Sequence, residues 1–428
     1  MENTENTENS NTELIFKKLC IGIDFGTTNS CLSVWYNNKP IIITDYDGNE
    51  TIPTIIELSM DKKTIGREAY LRKTIFDKTN TVSEKKKNIF LIYEIKKLLG
   101  KKYSELNKGE LNMIAYDIRS DDNDDIIIYD NNTDRKYYPA EIATHIFMSL
   151  KVRAENFLSS KFNEEIKVDD IVLSVPAYFN KNQREIIKNS ANYAGLNVIR
   201  LINEPTAAAI CYGLGNNNKE NIVVFDFGGG TLDVSLLTIN DNVYEVLGSC
   251  GNNNLGGGDF DKLIMEYCII EFIKENSIMD KDKFIEEIEE DVLQKLKYLC
   301  EQAKIILSDN LHTKIKINNF YENKNLNIYI SREIFNNICS DLIRIIVKPI
   351  NDLLDNCDIN KSDVSEIIMV GGMTKIPIIR YNIERFFNKD VNCSINPDNV
   401  VSIGCAIHGY MLTNKTSIED KLLLIDRT

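Results

Sequence analysis

Histidine is scarce in this chain, with 3 in 428 residues, and tryptophan occurs once. The 10 cysteines are spread singly, as at Cys20, Cys31, Cys211 and Cys250, and no C-x-x-C pair is present. Paired thiols and imidazoles are too few for a tetrahedral zinc site or a disulfide framework. Most of the cysteines are therefore expected as buried thiols in a reducing compartment. No apolar run approaches the roughly 18 residues that a membrane span requires, and the N-terminal MENTENTENSNTE has neither a basic nor an apolar signal region. This predicts a cytoplasmic protein with a disordered polar tail over residues 1–18. Basic charge is also short: 50 Lys and Arg against 64 Asp and Glu leave a net charge of −14. Binding to nucleic acid by phosphate neutralisation is thereby excluded. An anionic ligand needs a local site.

What remains, 43% hydrophobic and 27% charged residues, is a globular composition, and the length allows two to four domain-sized units. One distant internal echo is present. Ile21-Gly22-Ile23-Asp24-Phe25-Gly26-Thr27-Thr28 is matched in character by Val223-Val224-Phe225-Asp226-Phe227-Gly228-Gly229-Gly230-Thr231. Each is an apolar strand, an aspartate, a glycine turn with hydroxyls and then a second β-rich run. The pattern predicts two β-hairpins on two related lobes facing one ligand. A third glycine turn, Val370-Gly371-Gly372-Met373, ends a buried-type strand and precedes a helical pattern. Between Phe284 and Leu307 apolar residues recur every three or four positions, which predicts one long amphipathic helix. Glu301, Lys304 and Ser308 share another stripe, able to point into a cleft.

A phosphate chain is too costly to bury without closely spaced N–H and hydroxyl donors and a cation. Gly26-Thr27-Thr28 and Gly228-Gly229-Gly230-Thr231 supply such donors, and Asp24 and Asp226 precede the two turns, where carboxylates can hold a hydrated Mg²⁺. A lone G-G-G-T more often marks a turn that binds nothing. The matched pair predicts a nucleotide clamp. No G-x-x-x-x-G-K-[ST], no G-x-G-x-x-G after a strand and no H-R-D occurs, so P-loop, Rossmann and protein-kinase readings fail.

The segments IGIDFGTTNSC, SVPAYFNKNQRE, AGLNVIRLINEPTAAAICYGL, VFDFGGGTLDVS, LGGGDFD, MVGGMTKIP and SINPDNVVSIG stand in an order that resembles the seventy-kilodalton heat-shock proteins, over Cys20 to Thr428. The resemblance implies an α/β, actin-like ATPase fold, with two lobes of two subdomains each on a duplicated ribonuclease-H-like core. It implies lobe I at 19–217 with a peripheral subdomain at about 54–144, and lobe II at 218–392 with a peripheral subdomain at about 256–339. A return segment at 393–418 and an interdomain linker at 419–428 follow, and a substrate-binding domain is absent.

The resemblance further implies ATP or ADP with Mg²⁺, and K⁺ as a further ion. Asp24 and Asp226 resemble the carboxylates around the Mg²⁺ hydration shell, and Gly26, Thr27, Thr28, Asn29, Gly228, Gly229, Gly230 and Thr231 the phosphate ligands. Glu204 and Asp233 resemble the acids beside the attacking water and complete a catalytic set with Asp24 and Asp226. Glu301, Lys304, Ser308, Gly371, Gly372, Lys375 and Asp398 match the nucleoside contacts, and Pro176 and Arg184 positions that relay nucleotide state. The implied function is slow ATP hydrolysis that gates peptide binding in a partner domain. Implied partners are J-domain co-chaperones and exchange factors, with client peptides reached only through the missing domain. Neither nucleic acid nor membrane is implied, and a monomer is expected.

Several positions depart from the family pattern. The family's catalytic lysine is expected four residues beyond Gly66, where this chain has Tyr70, leaving Arg72 or Lys73 to supply the cation. Loss of one transition-state donor costs about 10²- to 10³-fold. This motivates an alternative, a hydrolysis-poor module that binds nucleotide and co-chaperones. Lys375 stands for an arginine and keeps the charge without the planar stacking. Asn252, Asn253, Asn254 and Gly258 replace more polar or acidic residues. Leu422 to Asp426 resembles the family linker, an apolar strand suited to a sheet edge.

Overall fold

A computed structural model describes residues 19–59, 62–75, 90–106, 114, 116–213, 220–241, 243–280, 283–284, 287–414 and 423–425. The expected tail at 1–18 and the side chains of Arg72 and Lys73 lie outside the described residues. The apolar run that ends at Asp24 forms β1 (Ile21–Asp24), which turns at Gly26 into β2 (Asn29–Tyr36) and pairs antiparallel with it. β3 (Lys39–Ile42) continues the meander and β4 (Ile52–Pro53) pairs with the start of β2. On the other side of β1, β11 (Asp170–Val175) and then β12 (Asn197–Asn203) join in parallel.

The second sheet repeats this plan. β13 (Glu220–Phe227), β14 (Leu232–Asn240) and β15 (Val243–Asn252) form the meander, and β18 (Glu366–Val370) lies parallel to β13. Both first hairpins carry their aspartate at the turn end of the ladder, Asp24 in the last pair opposite Cys31 and Asp226 in the last but one opposite Asp233. The echo in the sequence is a duplication in the structure.

Smaller sheets stand beyond these. β5 (Ile55–Leu58), β6 (Lys63–Ile65) and β7 (Phe90–Tyr93) form one, and β8 (Asp117–Ser120), β9 (Ile126–Asp130) and β10 (Arg135–Tyr137) another. Helix α1 (Arg67–Ile75) follows β6, while α2 (Pro139–Phe162) and α3 (Lys181–Tyr193) pack against one another in the first half. β12 runs straight into α4 (Glu204–Cys211), whose Pro205 suits a first helical turn. In the second half, α5 (Gly257–Glu275) and α6 (Glu290–Asp309) pack together, with the hairpin of β16 (His312–Tyr321) and β17 (Lys324–Ser331) beside them. Helices α7 (Arg332–Ile338), α8 (Ser340–Ile345), α9 (Lys348–Asn356) and α10 (Pro377–Phe387) complete this half.

The amphipathic helix expected from Phe284 begins instead at Glu290, because Glu289 is extended (φ −61°, ψ 135°). Phe284 belongs to the core all the same. Its ring stacks on Phe272 at 5.8 Å and meets Tyr321 edge-on at 4.8 Å, and the chain breaks after it to bring α6 alongside α5.

Each half has its own core. Phe25 stacks on Phe147 at 4.6 Å in the first, and Phe225, Phe227 and Phe260 contact edge to face in the second. A third cluster joins the halves through Ala207, Ala208, Val224, Val401 and Cys405. It is built around α11 (Val400–Asn414), which returns to pack on α4, β1 and β2. That approach requires Gly22, since a Cβ there would lie 2.3 Å from the Ser402 carbonyl oxygen. β19 (Leu423–Ile425) pairs in parallel with β15 at the sheet edge, as the linker reading anticipates. All ten cysteines are free thiols, and among the described residues no helix is long and apolar enough to cross a membrane.

Candidate active site

The two glycine hairpins meet across a central cleft. Where Gly229 stands, a Cβ would come within 2.6 Å of Thr28 Oγ1, so the turns touch without an intervening side chain. Asp24, Gly26, Thr27, Thr28, Asn29, Glu204, Asp226, Gly228, Gly229, Gly230, Thr231, Asp233, Gly371, Gly372 and Asp398 all line this cleft, together with Pro176, Tyr178 and Asn253. Residues from both sheets and from the return helix's approach thus converge on one place.

At its floor lie the buried Glu204 and the half-buried Asp24, Asp226 and Asp233. Ser174 Oγ donates to Asp24 Oδ1 (3.1 Å) and Thr231 Oγ1 to Asp233 Oδ2 (3.0 Å). Burial, then the charge of Glu204, raises both Asp24 and Asp233 to about 7. Asp226 is pushed well above the carboxylate range by burial and then by Glu204, Asp233 and Asp24. Lys96 answers them, while Lys97 and Lys101 also line the cleft. Lys96 Nζ sits 2.7 Å from Glu204 Oε1, both side chains buried. Burial opposes the charge of Lys96, but Glu204 and Asp24 outweigh it and raise its pKa.

Lys96, on a short 3-10 turn (Ile95–Lys97) after β7, is a cation that the sequence reading does not name; the side chains of Arg72 and Lys73 lie outside the described residues. Tyr70 does not line the cleft. Its hydroxyl donates to Glu301 Oε2 across the two halves, and its ring meets Tyr298 edge-on at 6.0 Å. The missed signal is Tyr93-Glu94-Ile95-Lys96-Lys97-Leu98-Leu99-Gly100: a lysine pair between apolar residues that are fully buried has to find acids inside.

The nucleoside stripe is brought near the cleft but does not line it. Lys304 Nζ donates to the Gly257 carbonyl (2.8 Å) and pairs with Asp261 (2.8 Å), behind the Gly229 turn. Ser308 Oγ donates to the Lys304 carbonyl (3.4 Å), and Glu301 is engaged by Tyr70. Lys375 Nζ pairs with Asp398, which does line the cleft, at 2.5 Å. Arg184 is held rather than solvated. Its Nε donates to the Phe179 carbonyl (2.8 Å) and its Nη2 to Asn203 Oδ1 (2.7 Å), tying the loop after Pro176 to the residue before Glu204.

The donor set fits a hydrated divalent cation. Half-buried Asp24 and Asp226, with Lys96 as their counter-charge among the described residues, suit an ion that keeps most of its waters and binds through one or two carboxylates. Among the described residues no cluster of three or more His, Cys, Asp or Glu is set to ligate a metal directly. Backbone donors at the two turns suit phosphate oxygens.

Comparison with known proteins agrees. The family model described as Hsp70 protein matches residues 20–428. A heat shock protein 70 homolog of Acanthamoeba polyphaga mimivirus is 37% identical over 447 residues, covering 100% of this chain and 45% of that protein. A chaperone protein dnaK of Cyanidium caldarium is 35% identical over 413 residues, covering 94% of this chain and 62% of that protein. The chain spans about half the length of these curated relatives. The duplicated mixed sheets and their helices are the actin-like ATPase fold, and the chain belongs to the Hsp70 family.

Proposed function

We propose that the chain is the nucleotide-hydrolysing part of a heat-shock-type chaperone. It binds ATP between its halves, cleaves it slowly to ADP and phosphate, and passes the nucleotide state to a peptide-binding region through the strand at Leu423–Ile425. The observation that carries this reading is the meeting of two glycine hairpins over a group of carboxylates that holds a buried Lys96–Glu204 pair.

In this reading the N–H groups and hydroxyls of the two turns hold the phosphates, which fixes the γ-phosphate for in-line attack by water. Glu204 and Asp233 orient that water. Asp233, titrating near neutrality, is matched to accept its proton. Lys96 neutralises charge that develops on the transferred group. Mg²⁺, when bound at Asp24 and Asp226, neutralises phosphate oxygens, and K⁺ can add to it. Lys375 and Asp398 flank the nucleoside with Gly371 and Gly372. J-domain proteins and exchange factors are the partners, in the cytoplasm, and the pairing of β19 with β15 is the coupling element.

The hydrolysis-poor alternative rests on Tyr70, and a lysine already stands among the carboxylates, so turnover is favoured. The test is calorimetric titration with ATP and ADP followed by single-turnover hydrolysis with Mg²⁺. Wild-type chain should release phosphate, and Glu204→Ala should bind nucleotide but release about 10²-fold less. Absence of phosphate above buffer would sink the enzymatic claim.

A further inference from the structure

Apart from the central cleft, a groove of about 600 Å³ runs between the turn after β3, the segment from β6 to α1, and one face of α2. None of its lining residues lines the central cleft. Arg153, on α2, is 8% exposed, and its Nε and Nη1 find no acceptor. A buried guanidinium with unused N–H groups is costly unless something returns the lost hydrogen bonds. The Tyr46 ring covers it, with the guanidinium carbon 4.7 Å from the ring centroid, while Tyr46 itself is 77% exposed. That ring is a cover tethered through its hydroxyl, which accepts from Asn156 Nδ2 (3.3 Å).

The rest of the groove has two characters. Met148 and Val152, one turn apart on α2, are both exposed and give it an apolar wall. Lys63 Nζ contacts His145 Nε2 at 2.5 Å and has no carboxylate partner among the described residues. Of the carboxylates there, Asp45 is committed to its own turn, accepting from the Asp47 and Asn49 amides at 2.9 Å, with Arg67 3.6 Å away. Glu68 pairs with Lys62 at 3.3 Å, and Asp47 is exposed. In a chain of net charge −14 this is a half-apolar site with basic side chains, in which Arg153 keeps two donors unspent.

We propose that the groove is a second ligand site for a small organic oxyanion, a carboxylate or phosphate head on an apolar body. Arg153 grips the head with its planar fork, Lys63 adds charge, and Tyr46 swings out and closes over the body against Met148 and Val152. A guanidinium suits either head because both offer two coplanar or near-coplanar oxygens.

The test is calorimetric titration of the full chain with phenyl phosphate and with phenylacetate, alone and in saturating Mg·ADP. Saturable binding of one equivalent that persists in Mg·ADP is expected, and the stronger of the two probes assigns the head group. Arg153→Lys, which keeps the charge and the fold but loses the fork, should weaken binding at least about tenfold, as should Arg153→Leu. Absence of heat with either probe, full competition by Mg·ADP, or equal affinity in Arg153→Lys would each overturn the proposal. If the chain takes no ADP, the proposed nucleotide function fails, and the Arg153→Lys comparison still decides the groove.

Discussion

Lys96→Met separates the two accounts of the catalytic cation. The substitution keeps the length of the stem and removes the ammonium that lies 2.7 Å from Glu204 and carries the strongest counter-charge to Asp24 and Asp226. Two costs follow. Removing one partner of a buried ion pair typically costs about 3–5 kcal/mol, which here is discounted because Asp24 and Asp233 already titrate near neutrality and can take up protons. A loss of about 2–3 kcal/mol in denaturant unfolding is therefore expected, within what a domain of this size tolerates. The effect on chemistry is larger. A missing donor at developing charge lowers the chemical step by about 10²- to 10³-fold, while nucleotide binding, supported by the backbone donors of both turns, should weaken by less than about tenfold. Single-turnover phosphate release and calorimetric binding on the same preparation read the two separately. Tyr70→Lys is the companion variant: with Lys96 in place it should not raise turnover. Hydrolysis within about threefold of wild type in Lys96→Met, or a marked gain in Tyr70→Lys, would refute the reasoning.

Tyr70→Phe removes the hydroxyl that donates to Glu301 across the halves, and since a hydrogen bond to a charged acceptor is worth about 1.5–3 kcal/mol, release of a fluorescent ADP analogue in stopped flow should quicken by about tenfold or more; an unchanged rate would show that the contact does not hold the halves together. His408 is held down to about 4 by burial and then by the charge of Arg200, from an ordinary 6.5. The unfolded chain therefore binds more protons in that window, so the contribution of His408 is intact above 6.5 and is lost as pH falls toward 4, by up to about 3 kcal/mol. Asp24 and Asp233, raised to about 7, act in the opposite sense, so the observable is the difference between wild type and His408→Leu. That difference in unfolding free energy should grow in favour of the variant from pH 7 to pH 5. Leu424→Asp should release β19 from β15, read as faster hydrogen exchange at the amides of residues 243–245, with the cleft's nucleotide affinity unchanged within about threefold.

What was legible in the sequence was local chemistry with a fixed spacing. The two hairpins announce themselves because strand, aspartate and glycine turn must be contiguous, and the third glycine turn likewise. Lys96 was illegible for the opposite reason: its acids are supplied by Glu204 and Asp24, remote in sequence and brought close by the fold. The stripe of Glu301, Lys304 and Ser308 was correctly assigned to one helix, but periodicity gives a face and not its partner, and Lys304 turns to Asp261 on α5. The helix start moved from Phe284 to Glu290 because the apolar period continues through a break that only the packing of Phe284 on Phe272 and Tyr321 requires. Arg153 has the least sequence signal of all, one arginine on an amphipathic helix.

The contact of Gly229 with Thr28 has a consequence for how the protein reads its own shape. On the proposed reading neither hairpin holds a complete set of phosphate donors, and the two sets stand on different sheets. A relative shift of about 1 Å, enough to cost a reaction 10²-fold, would leave each hairpin intact and yet dissolve the site. On that reading phosphate grip is a logical conjunction, true only when both sheets are in register. Anything that pries the two sheets apart would then act on that ligand without touching it.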